Sequence, residues 1–255
     1  MKNESKDSIT VVIPRRGIND EGRGKKHALF RLISAATTDY VWMQDDDVVP
    51  PQDAPPQDAD LIILPLRMQS LSQSPSLLER LQIAEYAGLQ QLTIETAMRS
   101  HAVLCSGANL IVRRERWLES YADLHPDIPS GDDMFLLESF KRRGLSVRAV
   151  ADDRYAAIVR PLTSWSAFFR QRMRWAGKAP HYTDRDILLC GAIVLIMNIL
   201  QICCPIILVV KFPIEYRLIK KRDPQVPLWL ALLLEVLYPL YLLICLVGGF
   251  FRHQW

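Results

Sequence analysis

The sequence has few of the residues that build disulfide frameworks or zinc sites. Five of its 255 residues are cysteines; Cys105 stands alone and the other four lie in long apolar runs. Neither zinc-ligand spacing nor the paired spacing of secreted domains is present, which excludes both classes. The cysteines are expected to pack as small apolar side chains, and the lack of a disulfide pattern fits a reducing cytoplasm.

An excess of positive charge is missing from the first three quarters of the chain. Residues 1–186 contain 25 Lys and Arg against 25 Asp and Glu, so the formal net charge of +3 comes from the remainder. Balanced charge cannot neutralise many phosphates, which argues against a nucleic-acid binder. The N-terminus is polar and lacks a cleavable apolar segment, so no signal peptide is expected.

Charge is also nearly absent from two long runs close to the C-terminus. Residues 187–210 contain no charged residue, and residues 227–251 contain only Glu235. Each run exceeds the roughly 20 residues that cross a bilayer core, so we predict a transmembrane region over residues 187–255.

Basic residues flank the first run on both sides. Residues 160–185 are basic, which by the positive-inside rule places them and the preceding domain in the cytoplasm. Residues 211–223 are basic as well. We therefore expect either a helical hairpin or re-entrant element broken near Pro205, or additional spans outside this chain.

Short β-branched runs alternate with helical patterns over residues 9–160, which is typical of an α/β layer fold. The predicted strands are Ile9–Ile13, Tyr40–Met43, Leu61–Leu64, Leu110–Val112, Ser146–Val150 and Ala156–Val159. The predicted helices are Lys26–Ala36, Ser76–Arg99 and Asp132 to about Gly144, with an amphipathic interface helix near residues 163–178. Residues 1–186 are expected to form one α/β domain.

Three carboxylates, Asp45-Asp46-Asp47, directly follow a predicted strand. Ligands of open α/β sheets bind outside the carboxyl ends of strands, where alternate carboxylates can hold Mg²⁺ or Mn²⁺. A divalent metal with a diphosphate is the ligand this pattern favours. The alternative is an ordinary, solvated acidic turn.

Two further carboxylates, Asp132 and Asp133, follow Gly131 at the start of a predicted helix. A helix N-terminus stabilises carboxylates, so the pair fits either a capping role or a catalytic one. Capping requires a single carboxylate, and here there are two.

A helical stretch carries Gln171, Arg174 and Trp175 at spacings of three and four, so an amide, a guanidinium and an indole share one face. The alternative is an amphipathic helix at the membrane surface. Two weaker motifs are the turn Ser106-Gly107-Ala108-Asn109, where small residues permit close approach of a ligand, and the glycine-rich basic segment 22–26, which suits phosphate.

The order of these motifs, followed by apolar helices, resembles the family 2 inverting glycosyltransferases of the GT-A fold. That group includes cellulose, chitin and hyaluronan synthases and ceramide glucosyltransferase. The resemblance covers about residues 8–190. It implies a Rossmann-like, mixed, mostly parallel sheet in an α/β domain followed by C-terminal transmembrane helices.

The resemblance implies how a nucleotide-sugar donor is held. Asp45 and Asp47 match the DxD motif, which holds the divalent metal, Mg²⁺ or Mn²⁺, on the donor diphosphate. Lys25 stands where family members often carry a lysine near the nucleotide. Arg174 belongs to the QxxRW motif and is expected at the diphosphate.

The resemblance also implies a base and an acceptor site. Asp133 matches the second residue of the ED motif, the general base, and Asp132 stands where Glu is common. Gln171 and Trp175 complete QxxRW beside the acceptor. Gly107 and Asn109 of the small-residue turn are expected to line the same acceptor site.

One departure concerns the front of the domain. Family members usually begin with strands that read the nucleotide base and ribose, and here Ile9–Ile13 matches a later strand. The front nucleotide-binding half is therefore expected to be missing. A fragment, a misassigned start, or a partner chain that supplies the remainder would each account for this.

The expected function is transfer of a sugar, with inversion, from a UDP- or GDP-sugar to a lipid-linked or polysaccharide acceptor. The expected location is the cell membrane, crossed more than once, with the catalytic domain in the cytoplasm. The main alternative is a non-catalytic or incomplete membrane subunit or scaffold. A metal-dependent phosphohydrolase is less favoured because the five histidines form no second metal-ligand cluster in the sequence.

Overall fold

The computed structural model describes residues 9–15, 23–51, 53, 55–128 and 130–251. The chain forms two compact units, each made of two segments. Unit 1 consists of Met1–Leu64 and Cys105–Ala157, and unit 2 consists of Pro65–Leu104 and Ile158–Trp255. This is a division by packing, and the functional boundary at residue 186 stays a prediction.

The elements largely follow the predicted ones. The strands are β1 (Thr10–Val12), β2 (Tyr40–Gln44), β3 (Leu61–Ile63), β4 (Leu66–Met68), β5 (Asn109–Arg113), β6 (Val147–Ala149) and β7 (Ala157–Val159). The α-helices are α1 (Lys25–Ala35), α2 (Leu77–Met98), α3 (Arg114–Glu119), α4 (Asp132–Arg142), α5 (Trp165–Ala176), α6 (Arg185–Cys203), α7 (Ile207–Arg222) and α8 (Leu228–Phe251). The short elements β4 and α3 were not predicted.

Unit 1 contains a five-stranded sheet with the strand order β1-β2-β5-β3-β6. β1 is parallel to β2 and β3 is parallel to β6, whereas β5 runs antiparallel to both β2 and β3. Four strands therefore point the same way, which confirms the predicted mixed, mostly parallel sheet. All five residues of β2 are buried, so both faces at the centre of the sheet are covered.

Unit 2 is mainly helical and includes β4 and the last two residues of β7, and these two strands form a two-stranded sheet. Its 22-residue helix α2 begins with a capping box. The Ser76 hydroxyl accepts a hydrogen bond from the Glu79 amide, and the Glu79 carboxylate accepts one from the Ser76 amide. Leu81 and Ala84 of α2 lie in a buried cluster with Ile219 of α7. The helix α2 is thereby fixed against the C-terminal helices.

The first apolar run is interrupted near Pro205, because α6 ends at Cys203 and α7 begins at Ile207. A break near Pro205 was expected from the sequence, whereas the hairpin or re-entrant element and the additional spans both stay predictions. The helices α6 and α8 are long and apolar enough to cross a membrane. In the most apolar 18-residue stretch of each helix, only 17% of the residues of α6 and 28% of those of α8 are buried.

Candidate active site

Lys25, the first residue of α1, joins two acidic segments of unit 1. It follows Gly24, whose φ of 88° lies in the left-handed region that favours glycine. The Lys25 ammonium lies 2.7 Å from Asp45 Oδ1 and 3.3 Å from Asp132 Oδ2. Gly22, at the start of the predicted basic segment, lies outside the described residues.

The charge on Lys25 is strongly stabilised. Partial burial acts to lower its pKa, but the carboxylates of Asp132, Asp45 and Asp133 outweigh this effect and raise the pKa above its ordinary value. The side chain is about one third exposed, at 32%. A permanently charged ammonium that solvent reaches is well suited to contact a phosphate.

The acidic turn directly follows β2, at the carboxyl end of that strand. Asp45 is half-buried, whereas Asp46 and Asp47 are exposed. Partial desolvation raises the pKa of Asp47, and the charge on Asp45 adds to this effect. The turn therefore concentrates negative charge, and a bound cation would reduce the repulsion between its carboxylates.

Asp132 and Asp133 occupy the first turn of α4, and the N-cap position belongs to Gly131. Neither carboxylate is the N-cap residue, so the simple capping alternative does not describe this pair. Asp132 is buried against Lys25, while Asp133 is half-buried. The Asp133 carboxylate accepts hydrogen bonds from the amides of Gly107, at 3.3 Å, and Met134, at 2.8 Å.

Gly107 lies in the turn before β5 and approaches both charged partners closely. A Cβ at this position would lie 3.2 Å from Asp132 Oδ2 and 3.4 Å from Lys25 Nζ. The absence of a side chain thus leaves room for the ion pair. The structure brings Gly107 together with Lys25, Asp45, Asp132 and Asp133.

Asn109, predicted beside an acceptor, is the first residue of β5 and only 1% exposed. Its side-chain oxygen accepts a hydrogen bond from the Trp42 indole at 2.8 Å, and its amide nitrogen donates to the Tyr155 carbonyl at 2.9 Å. These contacts hold β5 beside β2, where Asn109 pairs with Gln44. The side chain is engaged in the fold of unit 1.

The three QxxRW side chains lie on α5 in unit 2. The helix begins at a Ser164 cap, whose hydroxyl accepts a hydrogen bond from the Ala167 amide. Gln171 is half-buried, and Arg174 and Trp175 are exposed. Spacing predicted this shared face.

A buried side chain that sequence reasoning did not single out is Arg172, which lies between Gln171 and Arg174. It is 4% exposed and ion-paired with Glu85 of α2. Glu85 is one of three glutamates in the predicted helix 76–99, and local spacing does not reveal which of them pairs with Arg172.

The acidic turn offers two carboxylates to a divalent metal. The described part of the chain contains no group of three or more metal-ligating side chains. Mg²⁺ is commonly held by one or two carboxylates together with substrate phosphates, which needs no all-protein cage. Asp45 and Asp47, two hard oxygen donors on one turn, fit that mode of binding.

A family model described as "Glycosyltransferase like family 2" matches residues 3–178, well over half of the chain. The matched segment contains every site residue predicted from the sequence, from Lys25 to Trp175. No curated protein matches the chain.

Proposed function

Because the chain belongs to the glycosyltransferase-like family 2, we propose that it transfers a sugar, with inversion, from a nucleotide-diphosphate sugar to a lipid-linked or polysaccharide acceptor. The observation that carries this proposal is the ion-paired cluster of Lys25, Asp45 and Asp132. The three residues are distant in sequence and meet beside the carboxyl end of β2. Lys25 is the cation of the cluster that would meet a diphosphate, and a divalent cation would offset the charge of the carboxylates.

Donor binding is assigned to the Lys25 side of the cluster. Lys25 would contact the diphosphate, and Asp45 and Asp47 would hold Mg²⁺ or Mn²⁺. When bound, such a cation offsets the charge that grows on the leaving nucleoside diphosphate. Arg174 is assigned to the diphosphate from family membership.

The base is assigned to Asp133 because Asp132 is buried against Lys25. Two amide hydrogen bonds orient the Asp133 carboxylate. The acceptor oxygen forms a bond to the anomeric carbon as the bond from that carbon to the diphosphate breaks. The hydroxyl proton passes to Asp133, and the electron pair leaves with the nucleoside diphosphate.

Acceptor binding is assigned to Gln171 and Trp175, and Trp175 offers an exposed aromatic face. For Gly107 we propose a place at the edge of the acceptor site, because its amide donates a hydrogen bond to the Asp133 carboxylate. For Asn109 we propose that it holds the turn in place, because its amide atoms are engaged by Trp42 and Tyr155.

The location is proposed from the apolar helices. We assign α6 and α8 to the cell membrane, with the catalytic domain on the cytoplasmic side next to the basic residues 160–185. This arrangement would bring cytoplasmic nucleotide sugars and a membrane-borne acceptor to the same enzyme.

The test uses membranes that contain the full chain, supplied with radiolabelled UDP-glucose or GDP-mannose and Mn²⁺. Label should enter extracted lipid or insoluble glycan, and Asp133→Asn should reduce the transfer about 100-fold or more, as expected for loss of a general base. Asp127→Asn, the same change in an exposed loop, serves as control. Equal transfer by Asp133→Asn would contradict the assignment, and no transfer by any form would favour a non-catalytic subunit.

A further inference from the structure

A buried ion pair lies next to Gln171 and Trp175 of α5. The Arg172 guanidinium lies 2.5 Å from Glu85 Oε2 of α2, and both side chains are at most 5% exposed. The Tyr241 hydroxyl of α8 donates a hydrogen bond to the other Glu85 oxygen at 2.9 Å. Both oxygens of the Glu85 carboxylate are therefore engaged, and this carboxylate fixes the position of the Arg172 guanidinium.

The same guanidinium touches the two motif residues assigned to the acceptor. It lies 4.1 Å from the centre of the Trp175 ring, and one of its nitrogens donates to Gln171 Oε1 at 3.4 Å. A cation over an indole face is attracted to it and restricts its orientation. Burial acts to lower the pKa of Arg172, but Glu85 outweighs this effect and keeps the group charged.

We propose that Glu85 and Arg172 are positioning residues, which hold the side chains of Trp175 and Gln171 in the orientation that binds the acceptor. This inference rests on the acceptor role proposed above for those two residues. The side chains of Glu85 and Arg172 are both buried, and in this proposal neither contacts the reacting atoms. Each acts through its neighbours.

Stability alone is a weaker explanation for this ion pair. Well-packed apolar residues often replace a buried ion pair without loss of stability, because two charges must lose their water when they are buried. The α5 backbone already has a close contact with α8, where a Cβ at Gly249 would lie 2.8 Å from the Gly177 amide nitrogen. What the pair adds is a fixed guanidinium between the two motif side chains.

The experiment compares five forms of the full chain in detergent. Arg172→Met removes the cation, Arg172→Lys retains a charge without the planar fork, and Glu85→Leu combined with Arg172→Met removes both charges. Arg170→Met is the matched control, because Arg170 is an exposed arginine on the same helix and donates a hydrogen bond to the Ser166 hydroxyl. Thermal unfolding is measured for each variant and for the wild type.

The first readout is fluorescence of Trp175 itself. It is obtained as the difference between each form and the same form carrying Trp175→Phe, and acrylamide quenching reports exposure of the ring. We expect quenching to rise about two- to fivefold in Arg172→Met, in line with loss of a cation–π contact. Arg172→Lys should show a smaller rise, and Arg170→Met should match the wild type.

The second readout separates donor from acceptor. With diacylglycerol in phosphatidylglycerol vesicles as the acceptor probe, KM for the probe should rise about tenfold or more in the double variant, since small misplacements at a site are costly. KM for the donor should not change. The double variant should meanwhile recover most of the thermal stability that Arg172→Met loses.

A double variant that recovers stability, Trp175 quenching and acceptor KM together would overturn the positioning role. Failure of the wild-type chain to bind or transfer any donor sugar would instead contradict the proposed function, while the Trp175 fluorescence would still report the effect of Arg172. The two failures are thus distinguishable.

Discussion

The ammonium of Lys25 lies 2.7 Å from a carboxylate oxygen of Asp45, and this contact joins the first residue of α1 to the turn after β2. The same ammonium reaches the buried Asp132 of α4 at 3.3 Å. One cation therefore balances carboxylates from two segments. Its removal has consequences for both stability and donor affinity.

Replacement of Lys25 by Met is expected to weaken donor binding about 10- to 100-fold, the worth of a hydrogen bond between charged groups. It should also destabilise the fold, because Asp132 is left buried without this cation. Lys25→Met combined with Asp132→Asn should recover stability but not affinity. Calorimetric titration with UDP-glucose and thermal unfolding measure the two effects, and wild-type affinity in Lys25→Met would be the contrary result.

Replacement of Asn109 by Ala is expected to reduce the free energy of unfolding by about 1–3 kcal/mol, because the buried Trp42 indole loses its acceptor. Trp42→Phe in the same chain removes that unpaired donor. The double variant should therefore lose less stability than the two single losses added together. Denaturant unfolding of the four forms gives this coupling, and simple additivity would show that the bond has no energetic role.

A pH dependence is expected from Asp60, the residue directly before β3. Partial burial acts to raise its pKa, but hydrogen bonds from Ser146 and the contact with Arg113 lower it below the ordinary value. A carboxyl with a lowered folded-state pKa stabilises the fold above the unfolded-state pKa, near 3.9, and loses this contribution as pH falls through the folded-state value. The stability gap between wild type and Asp60→Asn should be constant near pH 6–7 and should shrink below about pH 4. A gap that widens on acidification would contradict this sign.

Close packing between α5 and α8 predicts a contrast between two glycines. A Cβ at Gly249 would lie 2.8 Å from backbone atoms of Met173 and Gly177, so Gly249→Ala should destabilise by about 1–3 kcal/mol. Gly191 of α6 has open space around its Cβ position, so Gly191→Ala should be neutral or slightly stabilising. Thermal unfolding in the same detergent compares them, and equal effects would contradict the packing.

The sequence predicted elements well where the signal is local. A short apolar run located β2, apolar residues spaced three and four apart located α2, and Pro205 marked the break between α6 and α7. The antiparallel direction of β5 and its place between β2 and β3 depend on long-range pairing, which local periodicity does not encode.

In the candidate site, too, local signals were predicted and long-range contacts were not. Motif spacing singled out Lys25, Asp45 and Asp132, and the fold brings them together. The pairing of Arg172 with Glu85 was missed because it joins helices distant in sequence. The engaged side chain of Asn109 was unforeseen for the same reason, since its partner Trp42 lies on a neighbouring strand.

The most direct test of the account is Mn²⁺-dependent binding of UDP- and GDP-sugars by the full chain in detergent. Asp47→Ala should abolish saturable binding. Asp46→Ala, the same change at the exposed neighbouring carboxylate, should retain most of it. Binding that needs no divalent cation, or that survives Asp47→Ala unchanged, would contradict the metal-assisted donor site, and no binding by any folded form would contradict the glycosyltransferase activity proposed for this chain.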